Sequence, residues 1–220
     1  METSNSSPAA SLRILHLGDN WVYGVTGTLT PEGGQPLPLT GQIAVSIVPD
    51  RLLGRSDAMA ILFSQQFQVT QPDGAKQGMP APEWMFSFVQ DGASRDVAIA
   101  ADNMTPGGTP RKAKAPQVFY PGSWSDRTAY SNRLDFDNGD SVENTLVVFG
   151  KEQVETESGS FLCWKSTIGS RSAATGLIEG MDWWAPELGA PAKFSTKSKM
   201  PDGSQMRFTA TLRSYSLQSL

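Results

Sequence analysis

Histidine and cysteine are nearly missing from this chain, which has one of each, His16 and Cys163, in 220 residues. A single cysteine forms no internal disulfide, so the fold must stand on packing alone. Cys163 lies in an alternating apolar pattern and reads as a small buried hydrophobe. Structural zinc needs three or four His, Cys or acidic ligands at close spacing, a demand that this composition does not meet. A Ser-His-Asp triad would have to use His16, which sits in the apolar Ile14-Leu15-His16-Leu17-Gly18, and no G-x-S-x-G elbow occurs. A structural role is expected for it.

Other absences narrow the field further. No run approaches the ~18 consecutive apolar residues of a membrane-crossing helix, so the chain is not expected to be membrane-spanning. Met1 to Ser11 is rich in Ser, Asn, Ala and Pro, with no basic n-region or apolar h-region, and reads as a flexible tail at 1–11 ahead of one β domain at 12–220. Charged residues make up only 18% of the chain and the net charge is −4. The densest basic run, Arg111-Lys112-Ala113-Lys114, is short and set among prolines and glycines, which speaks against a nucleic-acid partner. There is no phosphate-cradling loop and no dinucleotide fingerprint, and no cofactor is expected. The run Asp135-Phe136-Asp137-Asn138-Gly139-Asp140 superficially follows a calcium loop, but Asp140 stands where glycine is needed and Leu146 where glutamate is needed. Asn103-Met104-Thr105 is a formal glycosylation sequon in a loop.

Period-two alternation bounded by Gly, Pro and Asx turns recurs along the chain. Trp21, Tyr23 and Val25 share one face of a first strand and Ile43, Val45 and Ile47 one face of a second, with Pro31 to Pro36 as the loop between. Residues 57–69 are read as strand, and Trp84, Phe86 and Phe88 form another alternating face. Asn138-Gly139 is the strongest hairpin signal, because both residues tolerate positive φ. Residues 102–116 hold too many breakers for regular structure and are expected as an exposed loop or a seam; residues 170–190 are expected as a crossing loop or short helix capping one end. Around ten strands with short turns predict a mainly β fold, a curved antiparallel sheet or half-open barrel with little helix, the alternative being a β-sandwich.

Six tryptophans are present, and Trp164, Trp183 and Trp184 gather in the last third. Trp183 and Trp184 must point in opposite directions on a strand or loop, so one of them is expected to face solvent, a ligand or a partner. Asp182 and Glu187 beside them are the carboxylates that a glycosidase-type enzyme could use, and their plain reading is solvated turn acids.

Three segments carry a resemblance. Leu17-Gly18-Asp19-Asn20-Trp21-Val22-Tyr23 matches a G-x-x-W-x-Y start. Gly150 to Lys165 matches G-x-x-x-V-x-T-x-x-G-x-F-x-x-x-K, and Trp183-Trp184-Ala185-Pro186-Glu187-Leu188-Gly189 matches W-x-A-P-x-L-G. This order resembles a loose group of exported proteins and lipoproteins of bacteria, similar in outline to envelope lipoprotein-carrier proteins. In those carriers a curved antiparallel sheet wraps a helical lid around an apolar cavity. The resemblance brings no catalytic residues. It implies a periplasmic, cell-envelope or secreted location and a non-enzymatic role, binding a lipid or other hydrophobic ligand, or an envelope protein partner, on the curved sheet. The residues expected to bind are Trp183, Trp184, Trp164, Trp21 and Tyr23. A structural or interaction module and a carbohydrate-binding module are the alternatives.

Overall fold

The computed structural model describes residues 10–54, 58–80, 83–126, 128–172, 176–200 and 202–219, so most of the tail expected at 1–11 lies outside the described residues. β1 (Ala10–Ser11) is followed by the long hairpin of β2 (Asn20–Thr30) and β3 (Leu37–Pro49), then β4 (Met59–Thr70), the short β5 (Lys76–Gly78), β6 (Trp84–Gln90) and β7 (Val97–Asp102). A 3-10 turn at Pro106–Gly108 leads into β8 (Arg111–Tyr120) and β9 (Ser123–Trp124). The chain then runs through β10 (Ala129–Asp135), β11 (Ser141–Thr156), β12 (Gly159–Ser172), β13 (Gly176–Ala185), β14 (Ala190–Lys199) and β15 (Gln205–Ser216).

All of these except β1 and β9, which pair with each other, join one antiparallel sheet in the order β10-β11-β12-β13-β14-β15-β2-β3-β4-β6-β7-β8, with β5 added on β4. The last strand returns to the first long one, Ala210 opposite Val25 and Leu212 opposite Tyr23. The sheet is nearly closed as a barrel with one seam, and no α-helix forms among the described residues. The expected half-open barrel is therefore observed and the sandwich is not.

Alternation explains which side is the core. Trp21, Tyr23, Val25, Leu39, Ile43, Val45 and Ile47 are buried together inside, while Thr40, Lys197 and Arg207, on the opposite pleats, are exposed. A transmembrane barrel has the reverse pattern, with an apolar outer band. No helix among the described residues is long and apolar enough to cross a membrane.

The seam lies between edge strands β8 and β10, and a short backbone bridge together with several side chains closes it. One bridge joins Ala113 to Phe136. The Asp137 N–H donates to the Lys112 carbonyl at 2.9 Å, the Lys112 N–H donates to Asp137 Oδ1 at 3.1 Å, and Asn132 Nδ2 donates to the Val118 carbonyl. At the heart of it Arg111, fully buried, reaches Asp102 on β7 through Nε at 2.7 Å and a second nitrogen at 3.2 Å, and Asp140 of the β10–β11 turn at 3.3 Å. Its guanidinium lies 4.0 Å above the Phe136 ring. A barrel edge is otherwise open to pairing with other chains, and this clasp occupies it.

Two expectations are corrected. Residues 102–116, expected without regular structure, carry the 3-10 turn and most of β8. The ladder between β7 and β8 breaks between Ile99 and Ala101, which leaves Ala113 to Pro116 out of register, so Pro116 sits where no ladder donor is needed. Within 170–190, expected as a loop or short helix, residues 170–172 end β12 and 176–185 form β13, because strands on both sides supply partners, Ile178 lying opposite Ser170 and Ser198. The hairpin at Asn138-Gly139 forms as the dipeptide suggests, with Gly139 at φ 90°.

Candidate functional site

Residues 11–19 cross one end of the barrel as a strap. The Leu12 N–H donates to the Gly122 carbonyl at 2.8 Å, the Arg13 N–H to the Pro186 carbonyl at 3.0 Å and the Leu15 N–H to Gln90 Oε1 at 2.8 Å. The strap's far end is held by Asp19, fully buried, which accepts from the His16 N–H at 2.8 Å, the Gln218 N–H at 2.7 Å and the Arg13 guanidinium. Burial opposes ionisation of Asp19, but the Arg13 guanidinium and those backbone donors outweigh it and hold the carboxyl below its ordinary range. His16 is thus part of a structural anchor. Gly189, at φ 63°, lets the β13–β14 turn approach the strap, since a Cβ there would lie 2.9 Å from Leu15 Cδ2.

Under the strap is a cavity of about 190 Å³ in the barrel lumen. Trp21, Tyr23, Phe63, Tyr120, Trp184 and Phe194 line it, Leu12, Arg13 and Leu15 come from the strap, and Asp182 contributes a carboxyl. Trp184 links this lumen to a second cluster of Leu12, Trp124, Leu146, Val148 and Trp164. Its ring stacks on Trp124 at 5.6 Å between centroids and lies 4.3 Å from Tyr120.

Asp182 follows from the strand pattern: two residues before Trp184 on β13, it takes the same pleat and so enters the same lumen. It is 2% exposed. Among the described residues no side chain or N–H group bonds or ion-pairs with its carboxyl; Ser166, directly opposite on β12, is also buried without a partner for its hydroxyl. Arg13 lines the same cavity but its guanidinium is held by Asp19 and by the Gln218 carbonyl at 2.6 Å. Burial alone pushes the Asp182 carboxyl up to about 7, and it raises the Tyr23 and Tyr120 hydroxyls, already raised by burial, further.

Of the five expected binding residues, Trp21, Tyr23 and Trp184 meet at the lumen. Trp164 is buried beside Trp184 and borders an open outer groove of about 580 Å³, where Lys151 Nζ lies 4.5 Å from its ring centre. Trp183 lines neither. Of the faces expected for one of Trp183 and Trp184, solvent is ruled out, since they are 8% and 5% exposed, while Trp184 borders the cavity. The bulge opposite them is Ala192 on β14, so β13 keeps its alternation, and the Trp183 face is covered by Lys193 and Lys165, whose Nζ atoms lie 4.7 and 5.5 Å from its ring centre. Asp182 is likewise no solvated turn acid, while Glu187 is exposed in the turn. Five tryptophans are buried and Trp84 is half-buried, so the described residues hold no exposed tryptophan on which a sugar ring could stack. Phe63, Tyr120 and Phe194 escaped the sequence reading; alternation with Ile61 and Thr196 was the only signal for two of them.

No family model and no curated protein matches the chain. Two solved structures are alike in outline. One, from Bacteroides fragilis, is described as an exported protein with a YmcC-like fold; it is 13% identical, with a TM-score of 0.39 over 94% of this chain and 99% of the other. The second, described as a lipoprotein from Parabacteroides distasonis, is 12% identical, with a TM-score of 0.40 over the same shares. At that distance no residue role passes from either protein to this chain.

Cys163 is fully buried, and burial, followed by the Glu187 charge, pushes its thiol up to about 12, so it is inert as a nucleophile.

Proposed function

We propose that this protein is a non-enzymatic binder that holds a small apolar ligand inside the barrel, against Trp21, Tyr23 and Trp184. The observation that carries the reading is the roofed, aromatic-walled cavity of about 190 Å³. Close-packed interiors seldom leave voids of this size, and an engineered apolar cavity of ~150 Å³ suffices for benzene. The size favours a ligand built on a single ring. A diacyl lipid would need far more room, and drug-sized pockets begin at roughly 300 Å³. The helical lid of lipoprotein carriers has no counterpart among the described residues, where the strap covers the lumen instead. An exported or cell-envelope location belongs to this proposal and is supported by the motif resemblance.

Benzyl alcohol, titrated while amide resonances are followed by NMR, tests the reading. Saturable shifts at Tyr23, Thr196 and Asp182, lost when Val45→Phe fills the lumen, are expected. A wild-type spectrum unchanged at millimolar probe would overturn it.

A further inference from the structure

The lumen is not purely apolar: its lining includes one acidic group without a partner, and the Nε1 groups of Trp21 and Trp184, which line it too, are also unbonded. A buried carboxyl is ordinarily paired or bonded, since an isolated charge in an apolar setting is costly. Asp182 has neither kind of partner, although the cavity it lines is otherwise aromatic and aliphatic. Ser166 adds an unbonded hydroxyl on the neighbouring strand at the same level. Aromatic faces attract cations through their quadrupole, most of all when water is excluded. An acid set among the rings of Trp21, Tyr23, Tyr120 and Trp184 therefore has the make-up of a receptor for an organic ammonium group.

We infer that the lumen selects a small amine, its apolar ring or chain against the aromatic wall and its ammonium group paired with the Asp182 carboxylate. This rests on the proposed lumen binding and specifies the ligand class. The ammonium N–H groups satisfy the orphaned acceptor with charge-assisted hydrogen bonds, which a neutral ligand of equal size does less well and a carboxylate ligand opposes. The groups facing Asp182 are the Tyr23 hydroxyl from β2, which donates to the Pro191 carbonyl at 3.0 Å, and the Tyr120 hydroxyl from β8, both neutral over the working range, with Arg13 of the strap already engaged by Asp19. Bound ammonium favours the carboxylate, so acidification through the Asp182 titration makes protons compete with the amine.

Benzylamine and benzyl alcohol have nearly the same shape and differ in charge, and calorimetric titration of both at pH 8 separates the two proposals. The expected result is benzylamine bound at least about tenfold tighter than the alcohol, with the preference abolished in Asp182→Asn while alcohol binding persists. Equal affinities in the wild type would overturn the amine proposal and leave lumen binding standing. Binding of neither probe would overturn both. A preference that survives in Asp182→Asn would place the cation elsewhere and overturn the amine proposal. Should that variant fail to fold, the wild type decides alone: the preference must shrink between pH 8 and pH 5, and a constant preference contradicts it.

Discussion

Asp102 and Asp182 are buried to the same degree, each 2% exposed, yet their surroundings are opposite. Asp102 receives two nitrogens of Arg111, whose third contact goes to Asp140, and the group as a whole fastens the seam of the barrel. Asp182 stands in the lumen with no partner. A paired buried acid needs nothing beyond the fold to account for it. An unpaired one lowers stability in the free protein, and the natural explanation is a partner that arrives from outside. The same contrast holds for Asp19, buried like the other two but bonded to Arg13, His16 and Gln218 to secure the strap.

The largest effect is expected at the seam. Arg111→Ala leaves the buried Asp102 carboxylate without its cation, held only by the Met104 N–H at 3.1 Å, and should cost about 3–5 kcal/mol, as for other buried pairs that lose one partner; urea unfolding measures it, and a loss below ~1 kcal/mol would show that the clasp is not structural. Asp182→Asn should act in the other direction. The carboxyl's folded value of about 7 lies above its ordinary 3.8, so the native state holds the proton more tightly than the unfolded chain. The Asp182 penalty is absent below pH ~4, grows as pH rises toward 7 and is complete above it. At pH 8 the variant should be more stable than the wild type by roughly 1–3 kcal/mol, after discounting for relaxation around the charge, and this advantage should vanish at pH 4. Asp19 has the opposite sign: its lowered value gives stability that is present above pH ~4 and lost in acid, so Asp19→Asn should weaken the protein at pH 7 by about 1–2 kcal/mol. The smallest effect belongs to the exposed pair of Arg133 with Asp135 and Glu143, at 2.9 and 3.3 Å. Arg133→Ala should leave the urea midpoint essentially unchanged, and a clear loss would mean that burial is not what separates these pairs.

How much of this was legible in the sequence depends on how local the cause is. The faces of β2 and β3 show in Trp21-Tyr23-Val25 and Ile43-Val45-Ile47, because a two-residue period needs no distant information, and Asn138-Gly139 announces its own turn. β8 does not show: its ladder depends on β7 and on a clasp to residues 132–140, and Arg111 looks like one more basic residue in a surface run until Asp102 and Asp140 surround it. The burial of Trp183 does not show in the alternation, because two lysine side chains from the neighbouring strands cover a face that alternation alone would leave open. Asp182 is the instructive case. Its place two residues from Trp184 puts it in the lumen once the segment is a strand, but the prolines and glycines around it suggested a turn, and a turn acid is solvated.

The account stands or falls on the state of that one side chain, which ¹³C NMR of the Asp182 carboxyl reads directly as pH is varied in the free protein. A midpoint near 7, falling when benzylamine is added, is predicted. A midpoint near the ordinary 3.8, unmoved by the amine, would mean that the carboxyl is solvated or already paired, and would contradict the account.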